Sequence, residues 1–187
     1  RSLEVGLTHP SAPALEQLSR AELAAALQEV RDDRLLLLFA ALRRGFSVAE
    51  LAGATGIDPF FLGKLENIVL LERELAAGLT LERLARAKRL GFSDAAIARL
   101  SGVPPAAVRR LRAEQRLAPA YKMVDTCAAE FRAATPYYYS TYAGCDEVAA
   151  SPRATVAVLG SGPIRIGQGI EFDYCSVQAV WAARAAG

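Results

Sequence analysis

What this 187-residue chain has little of narrows its chemistry first. It holds one histidine, one methionine, one tryptophan, three lysines and three cysteines. His9 stands far from Cys127, Cys145 and Cys175, and the cysteines are themselves widely spaced, so no zinc-ligand pattern is present. An odd number of dispersed thiols does not build a disulfide framework, and the three read as reduced and structural. The longest uninterrupted apolar run, Leu35 to Leu42, falls far short of the roughly 20 residues that cross a bilayer. The cytoplasm is therefore the expected compartment. Net charge is also scarce: 22 basic against 20 acidic side chains leave +2, which gives no bulk attraction to nucleic acid or to a membrane surface.

What is abundant is helix-forming. Alanine (37) and leucine (25) make up about a third of the chain. Twenty-four of the leucines lie at or before Leu117, whereas five of the six tyrosines fall between Tyr121 and Tyr142. This shift sets a boundary near residue 118. Before it, Ser19 with Glu22 and Ser47 with Glu50 read as capping boxes, Asp58-Pro59 as an N-cap followed by an N1 proline, and Thr80 as a further N-cap. Gly45 and Gly91 sit where a helix must turn off in left-handed geometry. Helices are expected at about 19–30, 32–44, 47–53, 58–77, 80–90, 93–100 and 104–116. In the fourth of these Phe61, Leu65, Ile68 and Leu75 share a face that Leu62 and Val69 widen, which predicts packing on two neighbours.

An internal repeat runs through this part. GFSVAELAGATGIDPFFLGKL from Gly45 returns, 46 residues on, as GFSDAAIARLSGVPPAAVRRL from Gly91. Each copy reads as a helix end, a capping serine, a short helix, a glycine turn and a proline-started helix. Two copies are too few for a solenoid, but such hairpins can bury their stripes on each other or on a second chain. A DNA-binding helix-turn-helix is the alternative. The first copy presents Phe60, Phe61 and Leu62 where base contacts would lie, which is the chemistry of a core. The second presents Arg109, Arg110, Arg112 and Arg116 interrupted by Glu114, equally a solvated face.

Residues 119–153 read as an ordered connector. Tyr137, Tyr138, Tyr139 and Tyr142 are expected to lie against a protein surface, with base stacking as the other use of such rings. TVAVL, Thr155 to Leu159, reads as a short strand entering GSGPIRIGQG, and the EFDYCSVQAVWAARAAG that follows as a helix. Gly160, Gly162 and Gly167 form the structural loop. Their spacing is G-x-G-x-x-x-x-G rather than G-x-G-x-x-G, and Gln168-Gly169 stands where a Walker loop has lysine and serine or threonine. Neither standard phosphate loop is met.

These residues resemble a known family. VLGSGPIRIGQGIEFDYCSVQAV is similar to the opening of the second synthetase half of the carbamoyl phosphate synthetase large subunit, and YKMVDTCAAEF with YYYSTY resembles the segment before it. RSLEVG resembles the end of the first ATP-grasp region, and DDRLLLLFAALRRGFSVAELAGATGIDPFFLGKLENIVLLE the family's helical oligomerisation domain. Ser161 and Ile164 depart from the family's usual glycine and asparagine.

The resemblance implies a mainly α fold in four parts. Residues 1–18 end a preceding domain or linker, 19–118 form the oligomerisation domain, 119–153 the connector, and 154–187 a β-loop-α unit opening a truncated α/β pre-ATP-grasp domain. Arg1 and Gly187 then read as cuts in a longer chain. The parent is expected to be an allosteric ligase of arginine and pyrimidine biosynthesis. It would make carbamoyl phosphate from bicarbonate, glutamine-derived ammonia and two ATP, with magnesium (or manganese) and potassium, and with a glutamine amidotransferase subunit or domain as partner. The piece itself is expected to carry no cofactor, metal or catalytic residue, to be inactive alone, and to form homo-oligomers without nucleic acid or membrane. By the same resemblance Arg165 and Glu171 line the carbamate tunnel; a structural ion pair or a pair of caps is the other reading of them.

Overall fold

The computed structural model describes residues 9–149, 152, 155–160 and 171–187, with the side chains of the last stretch from 174 onward. Eight helices come first: α1 (Pro13–Glu16), α2 (Arg20–Leu27), α3 (Arg34–Arg43), α4 (Val48–Thr55), α5 (Pro59–Ala76), α6 (Leu81–Arg89), α7 (Asp94–Ser101) and α8 (Pro105–Glu114). Strands β1 (Ala120–Met123) and β2 (Tyr138–Thr141) follow, and α9 (Glu171–Ala185) closes the described residues. Mainly α is thus the observed class, as expected, and the seven predicted helices appear with ends shifted by a few residues. Two elements escaped the sequence reading. One is α1, whose only signal is Pro13 at its first turn; the other is the antiparallel pairing of β1 and β2.

Local chemistry sets the helix starts. Ser19 Oγ accepts from Glu22 N–H while Glu22 Oε2 accepts from Ser19 N–H at 2.8 Å, and Ser47 with Glu50 repeats the reciprocal box at the head of α4. Asp58 and Thr80 cap α5 and α6. The two copies of the repeat are superimposable in their backbone chemistry. Phe46 N–H reaches back to Ala41 C=O and Phe92 N–H to Ala87 C=O, each across a glycine at φ +82° or +84°. A side chain at that glycine would meet the steric penalty of left-handed backbone. Gly56 and Gly102 end α4 and α7 at φ +69° and +68°. The same offset pairs α3 with α6, so the true repeating unit is three helices, not the two that the sequence match delimits.

Two hydrophobic clusters result. The first gathers Leu15, Leu23, Leu27, Leu37, Leu51, Leu62 and Val69 around α3, where every residue from Leu37 to Leu42 is buried. A helix apolar on all sides has to be enclosed in this way. The second cluster gathers Leu71, Leu75, Leu84, Phe92, Ile97 and Val108. Helix α5 runs through both, with Ile68 packed against each. Its expected two-sided packing is therefore real, but the faces lie end to end along the helix as much as around it.

Beyond α8, β1 and β2 pair with Ala120 opposite Thr141 and Met123 opposite Tyr138. The intervening loop is tied by Asp125, whose carboxylate accepts from Cys127 and Ala129 N–H. Thr155 to Leu159, expected as a strand, has no regular secondary structure. A strand is a paired object, and among the described residues the one sheet pairs β1 with β2. The expected final helix is present as α9.

Candidate interaction surfaces

The helical domain carries two clusters of buried charge, one on each copy of the repeat. On the first, Arg43 at the end of α3 donates to Glu72 Oε2 at 2.7 Å and Oε1 at 2.8 Å, to Glu16 of α1, and to the carbonyl of Pro10 at 2.9 Å. His9 Nε2 lies 2.8 Å from Glu72 Oε1. Its ring also sits 6.0 Å from that of Phe92 in the second cluster. Glu72 is 7% exposed. Burial alone would raise its pKa, but the hydrogen bonds and charges of Arg43 and His9 overcome that and hold it at about 2. The network fastens residues 9–16 to α3 and α5.

On the second copy, Lys88 is buried and donates to the Phe92 carbonyl and to Asp94 Oδ1, both at 2.9 Å. Arg112 of α8 binds the other Asp94 oxygen. Burial pushes the Asp94 pKa up, and the contacts with Lys88 and Arg112 bring it below the ordinary carboxylate value. Above this triad lies Tyr142, just past β2, with Lys88 Nζ 4.9 Å and Arg112 Cζ 5.4 Å from its ring centroid. Two cations facing one ring form a cation–π clamp. It joins the connector to the helical domain. The connector is further bound internally by the ion pair Lys122–Glu147 at 3.1 Å, and by Asp146 and Glu147 accepting from Tyr121 and Met123 N–H.

The other tyrosines do not pack as expected. Tyr137, Tyr138 and Tyr139 are 64%, 48% and 49% exposed, because a two-stranded ribbon has too little surface to cover rings on both faces. Phe60 and Phe61 also depart from the core role that their apolarity suggested. They are 62% and 61% exposed at the head of α5, and only Leu62 beside them is buried. The rings meet edge to face at 5.3 Å, with Lys64 Nζ 4.8 Å from the Phe60 centroid.

Of the site residues drawn from the sequence, Arg165, Gly162 and Gly167 lie outside the described residues, as does the side chain of Glu171, which opens α9. Gly160 is placed: a β-carbon there would come within 3.3 Å of Ser176 Oγ on α9, closer than ordinary contact. The three cysteines are unpaired, and among the described residues no cluster of three metal-binding side chains occurs. No described helix is long and apolar enough to cross a membrane. The sequence reading missed Arg43, Glu72, Lys88 and Asp94. The repeat could have pointed to the second pair, since Lys88 and Asp94 stand where the first copy has Leu42 and Val48.

The helix-turn-helix alternative gains nothing from this geometry. Arg112 is turned inward to Asp94 and Tyr142, and exposed Arg110 has Glu114 at 3.7 Å. What the fold defines is a duplicated helical domain that holds a short β-paired connector, with a further helix beyond it. Residues 1–116 match the family described as carbamoyl-phosphate synthetase large chain, oligomerisation domain, and residues 152–187 match the carbamoyl phosphate synthase preATP-grasp domain. The chain belongs to the carbamoyl-phosphate synthetase large chain family, whose members are parts of a ligase.

Proposed function

We propose that this chain is the central segment of a glutamine-dependent carbamoyl phosphate synthetase large chain, and that its helical part holds copies of the chain together. The observation that carries this reading is the oligomerisation-domain match over residues 1–116, a stretch in which α3–α5 and α6–α8 fold as two copies of one three-helix unit. The near-neutral charge suits association of like with like, because identical copies of a strongly charged domain would repel. Light scattering across a wide concentration range should give a mass rising toward twice 20.0 kDa. A mass that stays at one chain throughout would refute the reading.

The segment after the connector is assigned to the passage that carries carbamate between the two active centres of the parent. Arg165 and Glu171 would keep such a passage hydrogen-bonded without reacting with its cargo, since a guanidinium donates and a carboxylate accepts. In the whole synthetase, Glu171→Ala should raise ATP consumed per carbamoyl phosphate formed while sparing the first partial reaction. Unchanged coupling would remove the assignment. The proposal includes ATP with magnesium or manganese and potassium bound elsewhere in the parent, an amidotransferase partner supplying ammonia, and a cytoplasmic setting. The chain by itself should hydrolyse no ATP.

A further inference from the structure

We infer that Phe60 and Phe61 at the head of α5 form the centre of the self-association surface, and that its occupant is the same surface of a second copy. The inference rests on the self-association reading above and gives it a location. Three observations support it.

The first is an internal control. At the 46-residue offset the counterparts of Phe60 and Phe61 are Ala106 and Ala107, at the same position of a proline-started helix that caps the same turn. The scaffold is therefore satisfied by alanine there. Leu62 and its counterpart Val108, by contrast, are both fully buried. The unit needs an apolar residue at that third position only, so the two rings serve something other than the core.

The second is exposure. Two adjacent aromatic rings more than half exposed are unusual on a soluble surface, and aromatic residues are enriched at the centres of protein interfaces. Four such rings, two from each copy, would bury on the order of 400–600 Å² by ordinary aromatic areas. That is about a third to a half of what the smallest specific interfaces bury in total. The flanking residues Lys64 and Asn67 on the same exposed side supply more. Such a contact gives a dimer that dissociates on dilution.

The third is charge. An interface between identical copies about a two-fold axis must be complementary to itself, so that a residue meeting a second one is matched by the reverse contact. Asp58 and Lys64, both exposed, lie three residues either side of Phe61. An antiparallel crossing of α5 on its copy, centred at Phe61, sets each Asp58 against the Lys64 of the other chain. The aromatic centre thus acquires two opposite-charge pairs at its edges.

The test is analytical ultracentrifugation of the full chain and of the Phe60→Ala/Phe61→Ala double variant, with circular dichroism and melting as a control of fold. The expected result is a dimer dissociation constant raised at least tenfold with the melting profile of the monomer retained. Lys64→Glu should weaken the dimer less, and by an amount that shrinks as salt is added. If the wild-type chain dimerises and the double variant dimerises equally well, this location is wrong while self-association stands. If the wild-type chain never dimerises, the self-association reading itself falls and this inference with it.

Discussion

The two copies of the repeat share their turns, their glycines and their capping serines, yet they have opposite surfaces. The first presents an aromatic pair at the head of α5 and buries an ion network that reaches back to His9 and α1. The second presents alanines at that point and instead builds a Lys88–Asp94–Arg112 triad that receives Tyr142 of the connector. Backbone chemistry is what the duplication kept, because a helix start or a left-handed turn admits few residue types. Side chains on the outer face were free to diverge, and each copy acquired its own partner segment.

The sharpest way to break the comparison is at Arg43 and its counterpart Arg89. Arg43→Met leaves Glu72 buried with His9 as its one remaining partner and should destabilise the domain by roughly 3–5 kcal/mol, the usual effect of removing one member of a buried pair. Arg89 is exposed, and Arg89→Met should stay within about 0.5 kcal/mol. Denaturant unfolding of both variants measures the contrast; equal effects would mean that the first network is not a fastening.

Acid should separate the copies next. The Glu72 carboxyl has a folded pKa of about 2, below its ordinary value of 4.5, so it favours folding fully above pH 4.5. That contribution disappears as pH falls through 2, and the integrated effect is on the order of 3 kcal/mol. Glu72→Gln should flatten the acid limb of the stability curve, and an unchanged limb would place the acid sensitivity elsewhere.

A smaller effect is expected at the clamp. Tyr142→Ala removes the ring between Lys88 and Arg112 and should raise the hydrogen-exchange rate of the Tyr138–Thr141 amides several-fold, for about 1 kcal/mol of lost contact. Tyr142→Phe, which keeps a ring, should restore most of the protection. The smallest contrast lies at the caps. Ser47 belongs to a reciprocal box, whereas Ser93 faces Ala96 and makes only half of one. Ser47→Ala should therefore cost about 1 kcal/mol and Ser93→Ala a few tenths less, measured by melting temperature.

These contrasts also show what was legible in the sequence. Helix starts and ends were, because Ser19, Ser47, Asp58, Thr80 and the turn glycines act on their immediate neighbours. The class and family were, because the glycine loop and the VDTCAAEF run are long and distinctive. Phe60 and Phe61 were misread as core, since apolarity predicts what a side chain would gain by burial, not whether a neighbour arrives to bury it. The His9–Glu72 contact spans 63 residues and leaves no local trace. β1 and β2 escaped because the 14 residues between Met123 and Tyr138 hide their pairing from any pattern of alternation. The proposed tunnel role of Arg165 and Glu171 rests on likeness to a family alone, their chemistry being too general to identify a passage unaided.

The lengths of α5 and α8 carry a further consequence. Helix α5 has 18 residues, about 27 Å, enough to finish one copy and serve as a wall of the next. Its counterpart α8 has 10, about 15 Å, and is capped by Gln115 before Arg116 takes a left-handed turn at φ +50°. The shorter last helix offers a further unit less wall than α5 offers the second, and the chain beyond it turns into β1, toward the clamp on its own final copy.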